Sequence, residues 1–208
     1  DDSKNSLTAR LLLLLESRPI LDDEFYREVL DRVLQSYWRD FNGNERNFVP
    51  GFVANDILRM WRTFCVNYEA RTQNDPPEKK AKRSLKNYKL KHSRLLTRYS
   101  AIAYLLMVFE QRRTVTPEDA RQMVALMPTA RIESIGDQVP AATTAAQKIL
   151  SLYELFLATT DAPQEDLVSR LLDRDERRRI RGESSELGDA MYKLLTKLGK
   201  DGPLFRLL

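Results

Sequence analysis

Residues 79 to 113 read KKAKRSLKNYKLKHSRLLTRYSAIAYLLMVFEQRR. The first twenty of them, 79 to 98, carry nine Lys or Arg side chains and no carboxylate, and the remainder is an apolar helix or half-helix. Leu85, Tyr88, His92, Leu95 and Tyr99 recur every three or four residues, which puts them on one face of a helix. Lys82, Lys86, Lys89 and Ser93 trace a second face, and Asn87, Lys91, Arg94 and Arg98 its neighbour. A helix is therefore the reading that gives every residue type in this stretch a place.

The same period extends outward in both directions. Residues 5 to 17 read as a buried helix stopped by Pro19. In LDDEFYREVLDRVLQSYWRDF, residues 21 to 41, Phe25, Val29, Val33 and Tyr37 form a stripe about five turns long, with Asp22 and Asp23 suited to the helix start. NGNERNFVPG is a loop. Residues 52 to 71 place Val53, Ile57, Met60, Phe64 and Tyr68 inward on a third helix. TQNDPPEK is a second loop, because a double proline breaks a helix. Thr116, Pro117 and Glu118 supply an N-cap, a first-turn proline and an acidic first turn, and that helix stops near Pro128. Further helices cover 141 to 159, through Ile149, Leu152, Tyr153 and Phe156, and about 184 to 198. Asp161 with Gln164 has the capping-box pattern for a helix between them, whose charged end is DRDERRRIRGE. The expected fold is all-α, a bundle-like array of seven to nine helices. Residues 1–127 form a helical domain, 128–140, with Gly136 and two prolines, a candidate linker, and 141–208 a C-terminal helical segment packed on the first.

Composition agrees and limits the chemistry. An apolar fraction of 42% over 208 residues is ample for a core. The single cysteine, Cys65, excludes an internal disulfide and most zinc sites, and as a buried free thiol it points to the cytoplasm. The longest aliphatic run, Leu11 to Leu15, is far short of a membrane span, and acidic residues before it do not suit a secretory signal. The chain begins at Asp1 and enters a helical pattern almost at once, so it reads as part of a longer polypeptide. One histidine, His92, rules out a Ser–His–Asp arrangement or a two-histidine metal site, and its place on the apolar stripe makes it a packing residue. No Gly-rich phosphate loop or dinucleotide fingerprint is present. No catalytic residues, metal site or cofactor are expected in this fragment.

Charge is distributed unevenly. Residues 1 to 75 hold 10 basic and 13 acidic side chains, net −3; residues 76 to 113 hold 11 and 2, net +9; residues 114 to 208 hold 13 and 15, net −2. The overall +4 thus originates in one region. Like charges four residues apart cost a few tenths of a kcal/mol per pair, so an uncompensated run favours a partner: a nucleotide triphosphate, nucleic acid or an acidic protein surface. Tyr88 and Tyr99 face the core, leaving base stacking unprovided. On the third helix, Asn55, Arg59, Arg62 and Glu69 share the polar side. Two arginines one turn apart beside an asparagine suit phosphate oxygens. The competing reading of both faces is a solvated surface, with Arg–Asp and Arg–Glu pairs worth less than about 1 kcal/mol each.

Three segments, DDSKNSLTARLLLLLESRPI, FVANDILRMWRTFCVNYE and LKNYKLKHSRLLTRYSAI, occur in that order. Together, over about residues 1 to 105, they resemble the helical region that follows the catalytic core in a family of bacterial polymerase-β-like nucleotidyltransferases. These are related in outline to the uridylyltransferase module that modifies the nitrogen-regulatory PII protein. The resemblance implies a helical substrate-binding or regulatory portion whose chemistry needs a Gly-Ser element followed by Asp-x-Asp holding Mg²⁺. Here the only Asp-x-Asp, Asp173 and Asp175, lacks a preceding Gly-Ser, so Mg²⁺ is expected only with an upstream catalytic domain. Charge and periodicity, rather than the family, suggest Asn55, Arg59, Arg62, Lys86, Lys89 and Arg94 for the triphosphate or acceptor side. The alternative function is a non-enzymatic module that binds nucleic acid or an acidic partner through residues 79–98.

Overall fold

A computed structural model of the chain describes residues 6 to 69, 76 to 200 and 202 to 207. Within it lie α1 (Ser6–Glu16), α2 (Asp23–Tyr37), α3 (Gly51–Glu69), α4 (Pro77–Lys89), α5 (Leu95–Arg112), α6 (Pro117–Ala125), α7 (Pro128–Gln138), α8 (Thr143–Thr160), α9 (Gln164–Arg170) and α10 (Arg174–Gly199). A π-helical turn, Leu90–Arg94, joins α4 to α5. Counted with that junction as continuous, the described residues form nine helices and no strand, the all-α array that the periodicity predicts. Among the described residues no helix is long and apolar enough to cross a membrane. The side chains of Tyr68 and Glu69 and most of the loop before the basic segment lie outside the described part.

The helix starts follow from local chemistry. Asp22 accepts a bond from the Phe25 amide at 2.8 Å and caps α2. Thr116 and Asp119 close a reciprocal capping box at the start of α6, with Pro117 in the first turn. Asp173 accepts from the amides of Asp175 and Glu176, so the charged run DRDERRRIRGE begins α10 and does not end its predecessor. That cap moves the start of the last helix ten residues ahead of the expected 184. Asp161 is the C-cap of α8 and does not cap α9, whose capping position is taken by Pro163. The stretch 128 to 140, expected as a candidate linker, is α7 followed by a 3-10 turn (Pro140–Ala142). Pro128 sits at the first helical position, where a missing N–H costs nothing. Gly136 lets α8 come close: a Cβ there would meet that of Ala146 at 3.0 Å.

α5 is the centre of the molecule. Leu96, Ala101 to Phe109 and Val115 are buried in a core that also takes Leu11 and Leu14 of α1, Ile57 of α3, Ile132 and Ile135 of α7, and Leu187 and Leu194 of α10. A second, smaller cluster joins Ala81, Leu85 and Tyr88 of α4 to Phe156, Leu167, Leu171 and Ile180. Ile57 and Leu106 are fully buried, while Phe64, Leu95 and Tyr99 are half-buried against the core. The stripe assigned to α2 is partly displaced. Tyr37 is buried and Val33 packs against the core as expected, but Phe25 is 63% exposed and Leu30 and Leu34 complete the buried face.

Candidate nucleic-acid interface

α4 owes its start to Pro77 in the first turn and to Glu78 beside the positive end of the helix dipole. Its inner face, Ala81, Leu85 and Tyr88, packs on α9 and α10. Arg83, Ser84 and Asn87 are half-buried at its margins, and the rest turns outward. Lys79, Lys80, Lys82, Lys86 and Lys89 are exposed, and Lys91 in the π turn is half-buried. No ion pair among the described residues reaches any of these six lysines.

Beside the lysines, α10 contributes cations that the sequence reading left in a helix end. Asn87 and Lys91 share a hollow of about 60 Å³ with Arg177, Arg181 and Ser184, and no carboxylate lines it. Arg177 is held in place by donating Nη1 to the carbonyls of Leu171 and Leu172, at 2.7 and 2.8 Å. The nearby Glu183 is already committed, accepting from the Tyr88 hydroxyl at 2.5 Å and from Arg179. Burial, and then the carboxylate of Glu183, raises the Tyr88 phenol well above its ordinary value, so it stays a neutral donor. The pairing of α4 with α10 was hidden in sequence because 95 residues separate Tyr88 from Glu183.

The π turn decides where the last cations of the segment go. One extra residue in a turn rotates everything after it by roughly 100° relative to an uninterrupted helix. Arg98, placed by simple periodicity in line with Asn87, Lys91 and Arg94, is instead fully buried. Its guanidinium lies 4.7 Å from the Phe64 ring centre and 3.3 Å from Glu16 Oε1, and Nη1 donates to the Arg94 carbonyl. Burial, then the charge of Arg94, pulls its pKa down to about 10, so it remains a cation at neutral pH. Arg94 bonds the other oxygen of Glu16 and stands 6.0 Å from the Phe64 ring centre. His92 is fully buried, as its position on the stripe implied. It stacks on Phe156 at 4.8 Å, and Nδ1 lies 3.0 Å from the Tyr88 carbonyl.

The six residues first singled out thus divide three ways. Lys86 and Lys89 belong to the open lysine face. Arg94 is tied to Glu16. Asn55, Arg59 and Arg62 are exposed on α3, which packs chiefly on α1 and α5, and Arg59 stands 3.7 Å from Asp56. The residues that complete the basic surface, Arg177 and Arg181, carried one usable signal, their density of arginine in an otherwise acidic half.

Comparison with protein-family models, with curated proteins and with solved structures finds no match to this chain.

Proposed function

We propose that the protein is a non-enzymatic helical module that binds the phosphate backbone of nucleic acid through α4, the π turn and the start of α10. The observation that carries this reading is the row of six lysines without an acidic partner among the described residues, next to a hollow of phosphate size that no described carboxylate lines. Lysine is a compact, well-hydrated charge suited to phosphates without fixed geometry. No aromatic ring is exposed along α4, since Tyr88 is buried, so binding rests on charge and carries little base preference.

Oligonucleotide titrations over a range of salt test the proposal. For a single strand, log affinity falls with log salt by about 0.7 per phosphate neutralised, and substituting both Lys86 and Lys89 with Gln lowers that slope by about 0.7 per lysine engaged. An unchanged slope in the double variant overturns the assignment. The other expectation, the helical portion of a nucleotidyltransferase with Mg²⁺ and catalytic carboxylates upstream, uses the same phosphate chemistry on a smaller ligand. A triphosphate titration separates the two, because loss of triphosphate binding alone in the double variant favours the nucleotidyltransferase reading.

A further inference from the structure

A second concave site lies on the other side of the π turn. It is a cleft of about 400 Å³ between the end of α1, the π turn and α5, and the start of α7. Among the described residues Glu16 is the only carboxylate that lines it, and both of its oxygens are taken by Arg94 and Arg98. Arg18, which also lines it, has no acidic partner among the described residues; its guanidinium donates to the carbonyls of Ser17 and Val124. Behind the lining sits Arg131, fully buried, with Nε on the Met123 carbonyl at 2.7 Å, Nη1 on the Thr97 carbonyl at 3.3 Å, and Nη2 unpartnered. Arg18 and Arg94 thus line the cleft and Arg98 and Arg131 are buried near it, while its one carboxylate, Glu16, pairs with Arg94 and Arg98 only. Burial, then the charge of Arg18, holds Arg131 down at about 10, still a cation at neutral pH.

Excess positive charge in a partly dry site is costly unless an anion offsets it. The cleft also supplies donors. α7 starts there without a side-chain cap, so the amides of Thr129 and Ala130 have no helical acceptor, whereas that of Arg131 bonds the Met127 carbonyl. The hydroxyls of Ser93, Thr97 and Thr129 line the same space. So many donors exceed what the two oxygens of a carboxylate accept, and they suit the three of a phosphate monoester. The remaining walls, Leu15, Leu96, Met127 and Tyr153, are apolar or aromatic. A volume of this size lies in the range of small-ligand sites.

We propose that this cleft binds a phosphomonoester carried on an aromatic body, of which a nucleoside monophosphate is a common representative, with its phosphate between Arg18, Arg94 and the first turn of α7. The aromatic body lies against Tyr153 and Met127. Occupancy is independent of the lysine face of α4.

Phenyl phosphate, inorganic phosphate and phenol are the probes, titrated into the full chain by calorimetry. Phenyl phosphate is expected to saturate a single site, inorganic phosphate to bind more weakly, and phenol not to bind measurably. Arg18→Gln removes a charged donor and is expected to weaken phenyl phosphate about tenfold or more. Thr129→Val, which keeps size and leaves the arginines intact, weakens it a few-fold, and Lys193→Gln, exposed on α10 and lining neither hollow, leaves it unchanged. Absence of saturable phenyl phosphate binding, or equal affinity in wild type and Arg18→Gln, overturns the site. Inorganic phosphate binding as tightly as phenyl phosphate overturns the role given to the aromatic wall.

Discussion

α4 and α5 are two halves of one helical run, and they differ in almost every respect. α4 buries three of its thirteen residues against a small satellite cluster, whereas α5 buries thirteen of eighteen at the centre of the molecule. Both contain cations from the same uninterrupted basic segment. On the α4 side all but the half-buried Arg83 are lysines in solvent; on the α5 side Arg98 is enclosed between Phe64 and Glu16. Arginine tolerates that enclosure because its planar, weakly hydrated guanidinium can lie on a ring and still reach a carboxylate and a carbonyl. Charge density in sequence therefore marks two separate properties, a surface and a structural strut, and the π turn divides them.

The largest effect should come from the central half. Leu105 is 0% exposed, and Leu105→Ala is expected to remove about 3 to 5 kcal/mol through lost burial and an unfilled cavity. Urea unfolding followed by circular dichroism measures it. A loss below about 1 kcal/mol would contradict the placing of α5 at the centre. Next in size is Arg98→Ala, expected to cost about 2 to 4 kcal/mol because it opens a void on Phe64 and leaves Glu16 with Arg94 alone. Lys89→Ala, the same kind of truncation on the other half, should stay within about 0.5 kcal/mol. Equal costs for Arg98→Ala and Lys89→Ala would erase the distinction between strut and surface.

How far the sequence could show this varied with the cause. Helices, the α2 and α6 caps and the burial of His92 are local consequences of spacing and side-chain chemistry, and they were readable. The π turn was not, because it is one extra residue accommodated by packing on both sides, with no marker residue of its own. Its consequence, the inward rotation of Arg98, was lost with it. Phe25 shows the opposite error. Its spacing fits a stripe, but α2 meets α1 and α6 along Leu30, Leu34 and Tyr37, so the ring stays outside. Arg131 and the meeting of α4 with α10 depend on contacts between distant segments, which one-dimensional periodicity does not contain.

His92 stands at the junction, and its titration offers a milder way to test the boundary. Burial is the main influence on it, lowering its pKa below 6.5. Nδ1 faces the Tyr88 carbonyl, while Nε2 is buried without a partner. Protonation would place a second N–H where nothing accepts it. The unfolded chain thus binds more protons than the folded one below 6.5, and stability falls as pH drops from there toward the folded-state pKa. His92→Gln should flatten this dependence in thermal melts from neutral to mildly acidic pH. An equally steep decline in that variant would assign the acid sensitivity elsewhere.

The smallest expected change has the opposite sign to all of these. Lys82, Lys86 and Lys89 stand three or four residues apart on an exposed face with no acidic partner among the described residues, and like charges at such spacing cost a few tenths of a kcal/mol per pair. Replacing Lys86 and Lys89 with Gln keeps helix propensity and should raise stability by roughly 0.2 to 0.5 kcal/mol at low salt. The gain should fade in high salt, where the repulsion is screened for the unmodified protein as well. The same double variant is expected to lose oligonucleotide affinity, so stability and binding move in opposite directions on one surface. A double variant destabilised by more than about 1 kcal/mol would mean that these lysines support the fold as Arg98 does. The contrast between the two halves of the helix would then fail on its solvent side.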